Sequence, residues 1–217
     1  MYQKKGSILL KLLKVFILNT IILLVSTVLL QIIQMFFSIY IANTIGEEAV
    51  GVFSLVMSVY MFGITLASAG INISATRVVS EELACQNEIG AKKAAKRCVF
   101  FSLIFGVCAS SIFFISADFI TIHCLHNHIS KNVIYLICIA LPFISMSSAI
   151  NGYFTAVRRV YKNAFAKFFE EFVKIACTFL FLKSFMPDGI DYACYSLILA
   201  DVISEITSFL HLYILYI

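Results

Sequence analysis

Ionisable residues stand at helical spacings inside otherwise apolar sequence. Asp201 and Glu205 are four apart, so any helix that contains them carries both on one face. Two carboxylates one turn apart in low dielectric cannot both ionise cheaply, and they call for a proton, a cation or a nearby ammonium. Glu170 and Lys174 share that spacing with the acid first, the order that favours an intrahelical pair, while Glu171 is expected to point elsewhere. Arg77 closes a run of small residues from Ala67 to Thr76, and a guanidinium there suits bidentate contact with phosphate. Each has a plainer reading that the residues alone leave open. Asp201 and Glu205 would pack against Lys174 or another helix; Glu170 and Lys174 would form the interfacial first turn of a helix, with Lys167 snorkelling; Arg77 would be one more basic anchor.

The elements that must position these residues are membrane helices. The chain is 61% hydrophobic and 13% charged over 217 residues, with a mean hydropathy of +0.98, too little polar surface to cover a soluble domain. A span needs about 20 apolar residues, because a helix rises about 1.5 Å per residue through a core about 30 Å thick. Six segments qualify, near residues 15–43, 50–73, 98–122, 132–157, 168–186 and 192–217, which predicts an all-α polytopic bundle. The first has a basic front of Lys4, Lys5, Lys11 and Lys14 but is too long for a signal-peptide core and lacks a small-residue cleavage site, so it is read as a retained helix. Between the second and third spans, Val78 to Arg97 reads as a helical extension, a loop at Gln86 to Gly90 and an amphipathic entry into the next span.

With the N-terminus inside, 13 Lys and Arg residues fall on the inner side and two, Lys131 and Lys183, outside. Both termini are therefore expected in the cytoplasm, with the chain in the cell membrane. The net charge of +4 then reflects topology and anionic headgroups, and no nucleic-acid partner is expected.

Seven scattered cysteines form no CxxC pair and read as small buried residues. His123, Cys124, His126 and His128 crowd one outer loop at spacings a metal could use, but no second ligand cluster closes a site, so no metal or cofactor is expected. A Gly-rich phosphate loop, HExxH and GxSxG are all missing, and Asp201 and Glu205 share one span, which argues against an intramembrane acid dyad. The chain does not read as an enzyme.

Three stretches carry a resemblance. Ile45 to Phe53 (IGEEAVGVF) sits where an outer turn would join the first two spans. Ala69-Gly70 is followed by Ser74, Arg77, Val78, Val79, Ser80 and Glu81. Gly152-Tyr153-Phe154 precedes, in register, Glu170, Val173 and Lys174. With these the chain resembles the N-terminal half of the stage V sporulation protein B and polysaccharide-biosynthesis (oligosaccharide flippase) family, within the multidrug/oligosaccharidyl-lipid/polysaccharide exporter superfamily. It departs from that pattern at Ala156 for a glycine, at Asn163 and Ala164 where a loop proline is absent, and at Lys174 for arginine.

The resemblance implies one lobe of a two-lobe exporter that moves a lipid-linked oligosaccharide or peptidoglycan precursor by alternating access, in spore-cortex or cell-envelope synthesis. The partners it implies are the lipid-linked sugar, membrane lipids, and a missing C-terminal lobe or a second copy of this chain. A sugar-pyrophosphate head cannot cross hydrocarbon unaided and needs a polar path with cationic grips. Arg77, Lys174, Glu170, Gln31, Gln34 and Asn72 are the candidate substrate-binding residues, and Asp201 and Glu205 the candidate ion- or proton-coupling residues. Two alternatives stand beside it: a cation-coupled multidrug antiporter of the same superfamily, and a non-transporting membrane scaffold. Neutralising Asp201 would abolish the first and leave the second intact.

Overall fold

The computed structural model describes residues 2–125, 131–185 and 190–217, which among themselves form helices and no strand. The helices are α1 (Tyr2–Ile45), α2 (Glu47–Ser68), α3 (Ile71–Ala84), α4 (Glu88–Ile115), a short α5 (Ala117–Phe119) leading into a π-helical turn at Ile120–Cys124, then α6 (Asn132–Ala156), α7 (Val160–Phe185) and α8 (Ile190–Tyr216). His126, His128 and the expected end of the fifth span at Met186 lie outside the described residues.

Among the described residues, five stretches are long and apolar enough to cross a membrane: Thr20–Ile45, Glu47–Ala84, Glu88–Ile115, Asn132–Ala156 and Tyr192–Tyr216. The expected fifth span corresponds to α7. It has the length, but its charged residues keep it below the hydropathy of the others. It also begins at Val160, so Lys167 lies in the third turn and the interfacial first-turn reading of Glu170 and Lys174 does not hold. The outside of the bundle is greasy: Phe105, Phe172, Leu180 and Ile214 are all more than 60% exposed, as suits side chains that face lipid.

The second expected span is broken. Gly70 takes φ +72°, open to glycine without strain, and there α2 ends and α3 sets off in a new direction to pack against α4 and α6. The turn between α3 and α4 is tighter than expected, closing at Cys85–Asn87, where the Asn87 side chain caps α4 by accepting from the Gly90 N–H at 2.9 Å. The third span ends at Ile115 rather than Ile122, because the chain turns at Ser116.

Helix α6 is the axis of the bundle and packs against α2, α3, α4, α7 and α8. Lipid gives no hydrophobic drive for helix association, so close approach and interhelical hydrogen bonds must hold it. Both are present. A Cβ on Gly106 would meet the Pro142 Cα at 2.7 Å, and one on Gly152 would meet the Asn72 carbonyl oxygen at 2.6 Å, so glycine fixes the α4–α6 and α3–α6 contacts. The Gly152 of the Gly-Tyr-Phe motif is thus a packing residue. Pro142 cannot donate to the Cys138 carbonyl one turn back; the Ser110 hydroxyl of α4 donates to it instead, at 2.7 Å. The Ser145 hydroxyl donates to the Ser102 carbonyl at 2.6 Å.

Candidate functional site

Polar side chains converge on a cavity of about 380 Å³ walled by α1, α2, α6, α7 and α8. The sequence builds it by periodicity. Lys167, Glu170, Glu171 and Lys174 on α7 recur at i, i+3, i+4 and i+7, and so do Asp201, Ser204, Glu205 and Ser208 on α8, and Ile144, Ser147, Ser148 and Asn151 on α6. That spacing puts each set in one stripe along its helix, and the three stripes face one another. Tyr60 of α2 and Gln34 of α1 complete the wall.

The ion pairs differ from the expected intrahelical one. Glu170 accepts from Lys167 at 2.8 and 3.0 Å and from the Ser208 hydroxyl at 2.7 Å. Lys174 reaches across to Asp201 Oδ1 at 2.6 Å, with the two side chains 24% and 6% exposed. The alternative that Asp201 packs against Lys174 is therefore what the structure contains. Glu171, expected to point elsewhere, is buried on the cavity wall, where Gln34 Nε2 donates to its Oε2 at 3.1 Å.

Two lysines face four carboxylates, so the formal charge of the lining is negative by two. Four buried oxygens on this wall have no protein partner: Tyr60 Oη, Ser147 Oγ, Glu171 Oε1 and Asp201 Oδ2. A buried oxygen left unpaired costs about 1–3 kcal/mol, and membrane proteins tolerate such groups where they line a functional path. The arrangement can therefore accept hydrogen bonds from a hydroxyl-rich or cationic ligand while its two ammonium groups stay committed to carboxylates.

Of the candidate residues, the structure brings Gln34, Glu170, Lys174, Asp201 and Glu205 together at the cavity. Arg77, Asn72 and Gln31 are not on its wall. Arg77 Nε pairs with Glu81 at 3.0 Å on the outer surface of α3, 81% exposed; Asn72 opens α3, its carbonyl accepting from Thr76; Gln31 lies exposed on α1, a turn before Gln34. Tyr60, Ser147 and Ser208 are wall residues that the sequence reading did not single out, and Lys167 and Glu171 are ones that it placed elsewhere. The repeated i, i+3, i+4, i+7 pattern was the signal that could have found most of them. At the opposite end, His123 stacks on Phe119 with ring centroids 4.4 Å apart, and among the described residues no group of three His, Cys, Asp or Glu could hold a metal ion.

Fold and cavity together define a polytopic helical membrane protein with a polar cavity between its helices. The chain belongs to the polysaccharide biosynthesis protein family, whose model matches residues 16–217. It is 23% identical over 199 residues to stage V sporulation protein B of Bacillus subtilis (strain 168), covering 92% of this chain and 38% of that protein. To sporulation protein YkvU of the same organism it is 21% identical over 198 residues, covering 91% of this chain and 43% of the relative. The chain thus spans about two-fifths of the length of these curated relatives. No solved structure matches it.

Proposed function

We propose that this chain is the N-terminal lobe of a flippase for a lipid-linked oligosaccharide or peptidoglycan precursor, working with a second lobe or a second copy by alternating access. The observation that carries the reading is the buried chamber with unpartnered oxygens on α2, α6, α7 and α8. Sugar hydroxyls are the donors those oxygens lack, and a polyprenyl tail can remain in lipid while the head passes. Gln34, Glu170, Lys174 and Asp201 would contact the head group, and the face bearing the turn between α3 and α4 would be cytoplasmic, with both termini there, in the plasma membrane.

The acidic excess of the lining favours a second reading, in which Asp201 and Glu205 take up a coupling proton or cation for an antiporter. Proteoliposomes that hold the chain with its second lobe, loaded with a fluorescent polyprenyl-diphosphate oligosaccharide and treated with an impermeant quencher, separate the two. Accelerated quenching that slows in Lys174→Gln supports the flippase. Quenching at the rate of empty vesicles, with a cationic dye moving against an imposed proton gradient, supports the antiporter; neither activity leaves a scaffold.

A further inference from the structure

On the far side of the bundle from the chamber, Lys93, Lys96, Arg97, Phe100 and Phe101 of α4 line a surface groove of about 510 Å³. Their spacing repeats the i, i+3, i+4, i+7 stripe, here turned outward. Among the described residues no ion pair involves any of the three cations, whereas Arg77, Lys131, Lys167 and Lys174 all have acidic partners. Phe100 and Phe101 are 61% and 59% exposed.

The groove does not end there. Phe101 is shared with a second, apolar pocket of about 260 Å³ between α4 and the break at Gly70, which runs down to Phe105. Three unneutralised cations thus stand above a continuous apolar trough. From Lys93 to Phe105 the helix rises about 18 Å, close to the depth of one hydrocarbon leaflet. Snorkelling anchors need no such trough, because they meet headgroups at any point around a helix.

We propose that this groove is a binding site for an anionic diacyl phospholipid of the adjoining leaflet. Its phosphate sits on Lys93, Lys96 and Arg97, and an acyl chain lies over Phe101 into the cleft that the Gly70 break opens. Charge complementarity selects an anionic headgroup, and the trough selects a lipid over a free anion. The site is separate from the chamber and does not depend on what the chamber carries.

The test is native mass spectrometry of the full chain released from mixed micelles of phosphatidylglycerol and phosphatidylcholine. Phosphatidylglycerol should be retained at least about tenfold over phosphatidylcholine, and Lys93→Gln, Lys96→Gln and Arg97→Gln together should abolish the preference. Arg97→Gln alone, at an exposed position that spares the fold, should lower it by about threefold. The control pair Arg77→Gln and Arg159→Gln should leave it unchanged. Retention unaffected by the groove variants, equal loss in the control pair, or displacement by millimolar inorganic phosphate or by undecaprenyl phosphate would overturn the proposal.

Discussion

The seam where α4 meets α6 and the chamber that α6 walls together with α7 and α8 share a helix, yet they treat polar atoms oppositely. In the seam, the Ser110 and Ser145 hydroxyls each donate across the helix interface, one of them to the carbonyl that Pro142 frees. Around the chamber, polar atoms are left over. Among the described residues, the buried side-chain oxygens and nitrogens without partners all lie on α2, α6, α7 and α8, and none on α3 or α4. A satisfied network fixes one arrangement, whereas an unsatisfied one holds interaction capacity in reserve. Helix α6 belongs to both, its Gly106-facing side built for permanence and its Ser147 side for exchange.

Substitutions should split along that line. The largest effect is expected in the seam: Gly106→Val drives a side chain into the Pro142 backbone, costs about 3 kcal/mol or more, and should leave little folded protein in detergent by size-exclusion chromatography. Next comes the Lys174–Asp201 ion pair on the chamber wall. Asp201→Asn leaves Lys174 without its charge partner and should cost about 3 kcal/mol in thermal unfolding, while the double change Asp201→Asn with Lys174→Met should recover most of it. If the double variant is no better than the single, the pair is not the structural element described here. Ser110→Ala strands the Cys138 carbonyl and should cost about 1 kcal/mol in the same assay.

Tyr60→Phe and Ser147→Ala should not lower stability, since neither atom has a partner to lose and each carries the cost of an unpaired buried oxygen, yet both should slow head-group translocation. A stability loss as large as that of Ser110→Ala would erase the contrast between the two regions. Smallest of all, Arg77→Gln should change unfolding by about 0.3 kcal/mol, because its bond to Glu81 is a solvent-exposed i, i+4 pair.

The long apolar runs made the helices legible, and the charges at 170, 174, 201 and 205 are among the residues that line the chamber. What stayed hidden were the bends. Gly70 is one small residue among many, and nothing in the run Ala67 to Thr76 says that the helix breaks there and carries Arg77 and Asn72 away from the chamber. Arg158 takes a left-handed φ of 60° with no glycine to announce it, so α7 starts eight residues earlier than apolarity suggests, and Lys167 enters the lining as a result. Glu171 was missed for a different reason. Pairing Glu170 with Lys174 by sequence distance overlooked that a stripe about 100° wide holds both 170 and 171, and only the facing helix decides which acid meets which base.

Helix α1 closes the chamber with the least grip of any wall. Of its described side chains only Phe37 and Ile41 are buried, against α7, α8 and their neighbours, and only Gln34 lines the chamber, held to Glu171 by one hydrogen bond. A single glycine, Gly46, links it to α2. Displacing that wall would cost the Gln34–Glu171 hydrogen bond, the Tyr40–Phe179 ring contact and the apolar packing of Phe37 and Ile41, while the polar bonds of the α4–α6 seam would stay intact.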